Sequence, residues 1–555
     1  MKNKLNIYCK NNQTYKEFDP GTSLLDMYEV FNVQLNGQVA CAKINNKTES
    51  LNYACYKPKD VEFIGVDDPS GIRTYVRSLC FILSKAVHEL FPSGKLYIEH
   101  PVSKGYYCVL DIGRTLTEED IVTIKKRMQE IIDADIPFVP HQEQTPEVIE
   151  AFKKNNRTDK TSLMETIGEV YSRYYSVGDY VDDFYGCLLP TTKWIYLFDL
   201  VPFNSPGFLL RVPNTSATEE LQPFVKQEKM LAVFQELMQY QKAIQMSNVG
   251  DLNKAIQSYD ISTVVKIAEI LQERKISKIA DEIHQKFEEG IRIVLIAGPS
   301  SSGKTTFCKR LQVQLLANTL YPISISLDDY YVNRVDTPLD ENGEYDYESL
   351  YAIELDKFNE DLQKILDGEE VALPTYDFLI GERVFKGNTI KLKENSVLVM
   401  EGIHAMNPLL TPNIPDSAIY KIYVSALTSI SLDDHNWIST TDNRLIRRIV
   451  RDFQFRGYSA KETISRWPSV RRGEDKWIFP FQENADAMFN SAMLYELAAL
   501  RKIAEPILKE VPQKDDEFSE AHRLLKFLRY FNYVDENELP NTSLLREFVG
   551  GSSFR

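Results

Sequence analysis

Long apolar runs are missing. No segment approaches the roughly 18 uninterrupted apolar residues that a bilayer span needs, which excludes a membrane-spanning helix. The opening MKNKLNIYCKNNQTYKEF has no apolar core followed by small residues, so no secretion signal is expected. Positive charge is in deficit: 64 Lys and Arg stand against 80 Asp and Glu, a net charge of −16. Such a chain repels nucleic-acid phosphate unless its cations are gathered locally. Cysteines are few and scattered (Cys9, Cys41, Cys55, Cys80, Cys108, Cys187, Cys308), odd in number and without a C-x-x-C. That argues against a disulfide framework or zinc knuckle and for reduced, buried thiols in a cytoplasmic protein. Internal repeats and low-complexity blocks are absent as well.

What is present is an ordinary globular composition, 43% hydrophobic and 26% charged over 555 residues, enough for about three to four domains. Residues 1–65 alternate short apolar runs (LNIYC, VACAKINN, VEFIGV) with turn signals, which predicts a small mixed sheet and one helix near Ser23–Val30. Residues 66–225 mix helical periods (TYVRSLCFILSKAVHELF, EEDIVTIKKRMQEII) with strand-like runs (YYCVLDIG, WIYLFDLV), an α+β pattern. Residues 226–288 read as a helical connector, broken at Asn248-Val249-Gly250-Asp251 with Asp251 as the N-cap. Residues 289–510 alternate apolar strands (IRIVLIA, ISISL, SVLVMEG, YKIYVSAL) with helices, the signature of a doubly wound parallel sheet. Residues 511–555 form a tail with one amphipathic helix, EAHRLLKFLRYF.

The strongest motif is Gly298-Pro299-Ser300-Ser301-Ser302-Gly303-Lys304-Thr305-Thr306, a full G-x-x-x-x-G-K-[ST] after an apolar strand and before the helical FCKRLQVQLLA. Its glycines let successive N–H groups turn toward phosphate oxygens, and the helix start adds partial positive charge. Lys304 would reach the β- and γ-phosphates, and the Thr305 hydroxyl can ligate Mg²⁺, so ATP is the expected donor. The second strand runs into Asp328-Asp329-Tyr330-Tyr331. At a strand's carboxyl end this carboxylate pair would face the γ-phosphate, where Asp328 could take a proton from an attacking hydroxyl, help hold the metal, or merely cap the next segment. The third ends in Glu401-Gly402-Ile403-His404, where Glu401 would bind Mg²⁺ and His404 reads either as functional or as a packed structural residue. Arg444, Arg447, Arg448, Arg451 and Arg456 crowd into DNRLIRRIVRDFQFRG. Arg444, Arg448 and Arg451 share one helical face, as in a lid that closes over phosphate; a nucleic-acid patch and a solvated, acid-paired helix are the alternatives.

These pieces (GPSSSGKTT, SLDDYY, EYDYESL, LPTYDF, MEGIHAMNP, RLIRRIVRDFQFRG) resemble the uridine kinase and phosphoribulokinase group of P-loop kinases over about 291–495. The resemblance implies that Asp328 is the base for a sugar 5′-hydroxyl and that Tyr331 and Asp346 line the nucleoside site. It puts Tyr376 in the base pocket and Arg448, Arg451 and Arg456 on phosphates. Two positions depart from the pattern: the base-contacting His corresponds to Gly381, and the Arg after the lid R-G to Tyr458. His404 is more like phosphoribulokinase, which reads E-G-L-H. Residues 1–65 also resemble a TGS β-grasp module, and 66–225 the second domain of threonyl-tRNA synthetases. There the editing positions fall at Arg77, Phe81, Phe184 and Leu188, so the resemblance implies a retained fold without ligands or a base. The chain as a whole is similar to long bacterial nucleoside kinases.

The expectation is an ATP- and Mg²⁺-dependent kinase of a small-molecule hydroxyl, a nucleoside such as uridine first. Another alcohol (sugar, sugar phosphate, polyol) and a nucleotide-dependent regulator that binds RNA or the ribosome through its N-terminal half are the rivals. Kinases it resembles often form homo-oligomers, and no membrane partner is expected.

Overall fold

The structure, a computed structural model, describes residues 4–554 apart from 205, 342 and 379. The first sheet has five strands in the order Thr14–Phe18, Leu5–Cys9, Asp60–Gly65, Val39–Ile44, Lys47–Glu49. Leu5–Cys9 runs parallel to Asp60–Gly65, and the other pairings are antiparallel. The helix Leu24–Phe31 starts at a capping box in which Ser23 and Asp26 each accept the other's backbone N–H. It buries Leu24, Met27 and Phe31 against Ile7 and Phe63 of that sheet.

The following region has a four-stranded sheet in the order Asp199–Pro202, Gly207–Arg211, Gly105–Asp111, Lys95–Val102, and a three-stranded one built on Tyr171–Val177. Its central helix, Pro69–Leu90, is buried over most of its length, which is why its apolar residues show so little polar relief. The strand expected over WIYLFDLV is realised only at Asp199–Pro202. Upstream, the Tyr196 and Leu197 N–H groups donate to the Tyr75 hydroxyl at 3.1 and 2.9 Å, and that side chain takes the place of a strand neighbour.

Three helices follow: Glu228–Ala243, Val249–Gln257 and Ile261–Glu288. Asn248, not Asp251, is the cap of the second; Asp251 is its reciprocal partner at N3. The next sheet has five strands, all parallel, in the order Tyr321–Ser326, Ser396–Glu401, Ile293–Ala297, Ile419–Ser425, Ala487–Asn490. Alternate residues serve two cores. Val294, Ile296, Val397, Val399, Ile422 and Val424 pack with the helices Ile261–Glu288 and Lys304–Ala317. Ile293, Leu295, Leu398, Met400 and Tyr423 pack on the other face with Phe358 and Leu362 of the helix Leu355–Leu366. Burial on both faces explains the unbroken apolar runs. The fifth strand, AMFN, was not expected.

The two halves of the chain are locked together at the loop that leads from Ile419–Ser425 to the helix Thr440–Arg456. Lys160, fully buried, bridges Asp433 at 2.9 Å and Asp182 at 3.2 Å. His435 Nδ1 lies 2.5 Å from Asp182, and Asn436 donates to the Asp183 carbonyl. Trp437 packs on Tyr106 with ring centroids 4.6 Å apart. The C-terminal segment runs back along the molecule: Thr48 meets Ser519, and Arg523 forks onto Asp442 with two 2.7 Å bonds. Among the described residues no helix is long and apolar enough to cross a membrane.

Candidate active site

The phosphate loop leaves the central strand at Ala297 and re-enters regular structure at Lys304. Gly298 is forced by packing, since a Cβ there would lie 2.0 Å from the Val424 carbonyl oxygen. Gly303 adopts φ +83°, the left-handed conformation that starts the helix. Lys304 Nζ donates to the Pro299 carbonyl at 3.2 Å, and the Thr305 hydroxyl to Glu401 at 3.3 Å.

The carbonyls of the loop are held from behind. Arg444 Nε donates to Ser300 O at 3.0 Å, and Arg447 to Ser301 O at 3.3 Å. Fixing these oxygens on one side of the planar peptides turns the following N–H groups to the other. Both arginines are buried and neutralised by buried glutamates: Arg444 pairs with Glu474, and Arg447 forks onto Glu496 at 2.5 and 2.6 Å. Arg444, grouped on sequence spacing with a phosphate-closing face, is instead part of the loop's scaffold. Arg448 donates to the Ser300 hydroxyl at 2.9 Å, and Arg451 pairs with its neighbour Asp452 at 2.7 Å. Arg456, more than half exposed, lies 3.7 Å from the same Asp452.

Two carboxylates close the other side. Asp328 is the second residue of the 3-10 turn Leu327–Tyr330, and burial raises its carboxyl above the ordinary range against the pull of Lys304 and Arg456. Burial and the nearby Asp328 push Glu401 up to about 7. Asp329, read from the sequence as its partner toward the phosphate, turns away and accepts the Tyr376 N–H at 3.1 Å. One residue in a 3-10 turn rotates the side chain by about a third of a circle, which separates the two acids. Tyr331 lies against Asp328 and packs edge-on to Tyr376, with centroids 5.7 Å apart. Asp346 is occupied locally, accepting the Glu348 N–H at 3.2 Å. From that acidic stretch it is Glu348 that turns inward; burial raises it to about 7, and Arg448 and Lys304 act on it. Sequence reasoning missed it because the stretch holds several acids with no periodic cue. His404 is fully buried and pulled down to about 4 by that burial, a neutral ring packed beneath the site.

Thr305, Glu401 and Asp328 offer a hydroxyl and two carboxylates that raise each other's affinity for positive charge. These hard oxygen donors suit Mg²⁺, which takes its remaining ligands from phosphate and water.

In the first half, the four positions where the resemblance places editing groups come together but form a core. The rings of Phe81 and Phe184 lie 5.6 Å apart, Leu188 is buried beside them, and Arg77 covers the Tyr185 ring at 5.3 Å.

Comparison with known proteins finds similarity to two kinds of protein. The model of the Phosphoribulokinase / Uridine kinase family matches residues 293–497. A threonine–tRNA ligase of Syntrophomonas wolfei is 31% identical over 179 residues, covering 32% of this chain and 28% of the ligase. One from Citrifermentans bemidjiense is 27% identical over 198 residues, covering 36% and 31%. This chain therefore spans less than a third of the length of these curated relatives. Among solved structures, one described as a possible uridine kinase from Bacillus stearothermophilus is 17% identical, covering 38% of this chain and 97% of that one at a TM-score of 0.26. A D-glycerate 3-kinase from Cryptococcus neoformans var. grubii is also 17% identical, covering 49% and 87% at a TM-score of 0.20. The chain thus joins a segment similar to threonine–tRNA ligases to a segment, residues 293–497, that matches the model of the Phosphoribulokinase / Uridine kinase family.

Proposed function

We propose that this small-molecule kinase transfers the γ-phosphoryl group of ATP to an alcohol, with the 5′-hydroxyl of a nucleoside as the first candidate. The observation that carries the reading is the convergence of Asp328, Glu401 and Lys304 at the mouth of the phosphate loop. Lys304 and the loop N–H groups hold the triphosphate. Thr305 and Glu401 would hold Mg²⁺, which neutralises phosphate charge when bound. Asp328, raised toward neutrality by burial, accepts the proton of the incoming hydroxyl as its oxygen approaches in line. Tyr331 orients that carboxylate and, with Tyr376, forms an aromatic wall for a planar acceptor. Arg448, Arg451 and Arg456 add positive charge near the phosphates and help exclude water.

A second reading, phosphorylation of a different alcohol, rests on Gly381. At φ +74°, its Cβ position would lie 2.8 Å from Arg334 Nε, so the guanidinium stem takes the space that a base-contacting histidine would need. Arg334 is itself fixed to the Phe378 carbonyl at 2.6 Å. ADP release with nucleosides, sugars, sugar phosphates and polyols, with mass detection of the product, separates the two. Turnover of uridine or cytidine supports the first reading; turnover of another alcohol while nucleosides stay inert replaces it with the second.

A further inference from the structure

The C-terminal segment rests on the phosphate loop. Leu544 packs over Gly303 so closely that a Cβ there would lie 2.4 Å from its Cδ2. Leu544, Leu545 and Phe548 are completely buried, and the Phe548 ring lies under the Arg447 guanidinium at 4.8 Å. Arg546 staples the turn shut by donating to the carbonyls of Glu536 at 2.9 Å and Leu539 at 2.6 Å. So anchored, Glu547 reaches the first turn of the helix Lys304–Ala317. One carboxylate oxygen accepts both the Thr306 N–H at 3.2 Å and the Thr306 hydroxyl at 2.7 Å.

Those two donors belong to the set that a phosphate loop turns toward the α- and β-phosphates. A carboxylate there is an anion on a helix N-terminus, chemically a stand-in for a phosphate oxygen. It also adds negative charge close to Glu401, which feels it. We propose that the segment 540–551 is a built-in plug: Glu547 competes with the triphosphate for Thr306, and nucleotide binding requires the carboxylate to withdraw. The inference rests on the nucleotide-site reading above. The anchor is apolar and the competing contact is one charged group, so the withdrawal of Glu547 loosens the short turn Arg546–Val549 that carries it. Its route past Thr48, Arg73 and Asp442 lets events at the N-terminal half reach it, since Thr48 bonds Ser519 and Arg73 bonds Glu520.

The test is calorimetric titration of the full chain with Mg²⁺ and a non-hydrolysable ATP analogue. Glu547→Gln and Glu547→Ala keep the buried Leu544, Leu545 and Phe548 anchor. Each should tighten nucleotide binding about tenfold or more, the range set by one charge-assisted contact. Hydrogen exchange on the unaltered protein is the second readout, and saturating nucleotide should speed exchange of the amides at 544–549. Equal affinity in all three proteins, or weaker binding by the variants, overturns the plug, as does unchanged exchange. Lys304→Ala separates the two levels. Loss of binding in that variant keeps the nucleotide site even if the plug fails, whereas binding unaffected by it removes both.

Discussion

Arg447 offers the sharpest contrast between a phosphate-closing lid and a brace. It is completely buried, and its guanidinium is shared among the Glu496 carboxylate, the Ser301 carbonyl and both oxygens of Ser491. Arg447→Ala strands the Glu496 carboxylate, itself buried, without a counter-ion. Removing one partner of such a pair costs about 3–5 kcal/mol, far more than an exposed ion pair contributes. For a cooperative unit of roughly 200 residues this is a fall of about 10 °C in Tm. Replacing both partners by apolar residues, Arg447→Met with Glu496→Met, should recover most of the loss, because no charge is left buried. Arg451→Ala is the comparison: its partner Asp452 keeps Arg448 at 3.3 Å and Arg456 at 3.7 Å, so no buried charge is stranded and Tm should move by about 2 °C or less. Thermal unfolding followed by circular dichroism, alongside ADP release, reads both quantities. A melting point for Arg447→Ala within about 2 °C of the parent, with turnover lost as in Arg451→Ala, would refute the bracing argument and return Arg447 to the lid.

Asp328→Asn should lower kcat by about 10²–10⁴ while ATP binding persists; turnover within tenfold of the parent removes Asp328 as the base. Glu348 has a folded-state pKa raised from 4.5 to about 7, so the native state holds its proton more tightly than the unfolded chain. Its favourable contribution is complete below pH 4.5 and is lost as pH rises through 7. Glu348→Gln should therefore raise Tm at pH 8 and have little effect at pH 4.5; a variant less stable at pH 8 contradicts that sign. Lys160→Met should destabilise by about 3 kcal/mol or more, because Asp182 and Asp433 lose their shared cation, and denaturant titration that finds no change would show the network to be dispensable.

Much of this arrangement was legible from residue types and spacing. Ile293–Ala297 announced itself because both of its faces are buried, and the glycines around Lys304 because a tight turn admits few alternatives. What was not legible depends on partners far along the chain. The four-residue strand Ala487–Asn490 is too short to show a pattern and exists because Ile419–Ser425 offers it a ladder. Arg447 and Arg448 are neighbours in sequence, yet one points to Glu496 and the other to Ser300, a difference of one step around a helix. The Asp328-Asp329 pair was read as one unit, and the turn that splits it is set by the register with Tyr376. No spacing rule connects residue 547 with residue 306; only the folded tail does.

The grip of Lys160 and Asp182 on Asp433 and His435 has a practical meaning for anyone cutting the gene. The held loop feeds straight into the helix that carries the arginines behind and beside the phosphate loop. A fragment beginning near residue 289 would keep every phosphate-binding motif, yet would release that loop and leave Asp433 without its lysine and His435 without its carboxylate. Expressed alone, such a piece would be a poor witness to what the whole polypeptide does.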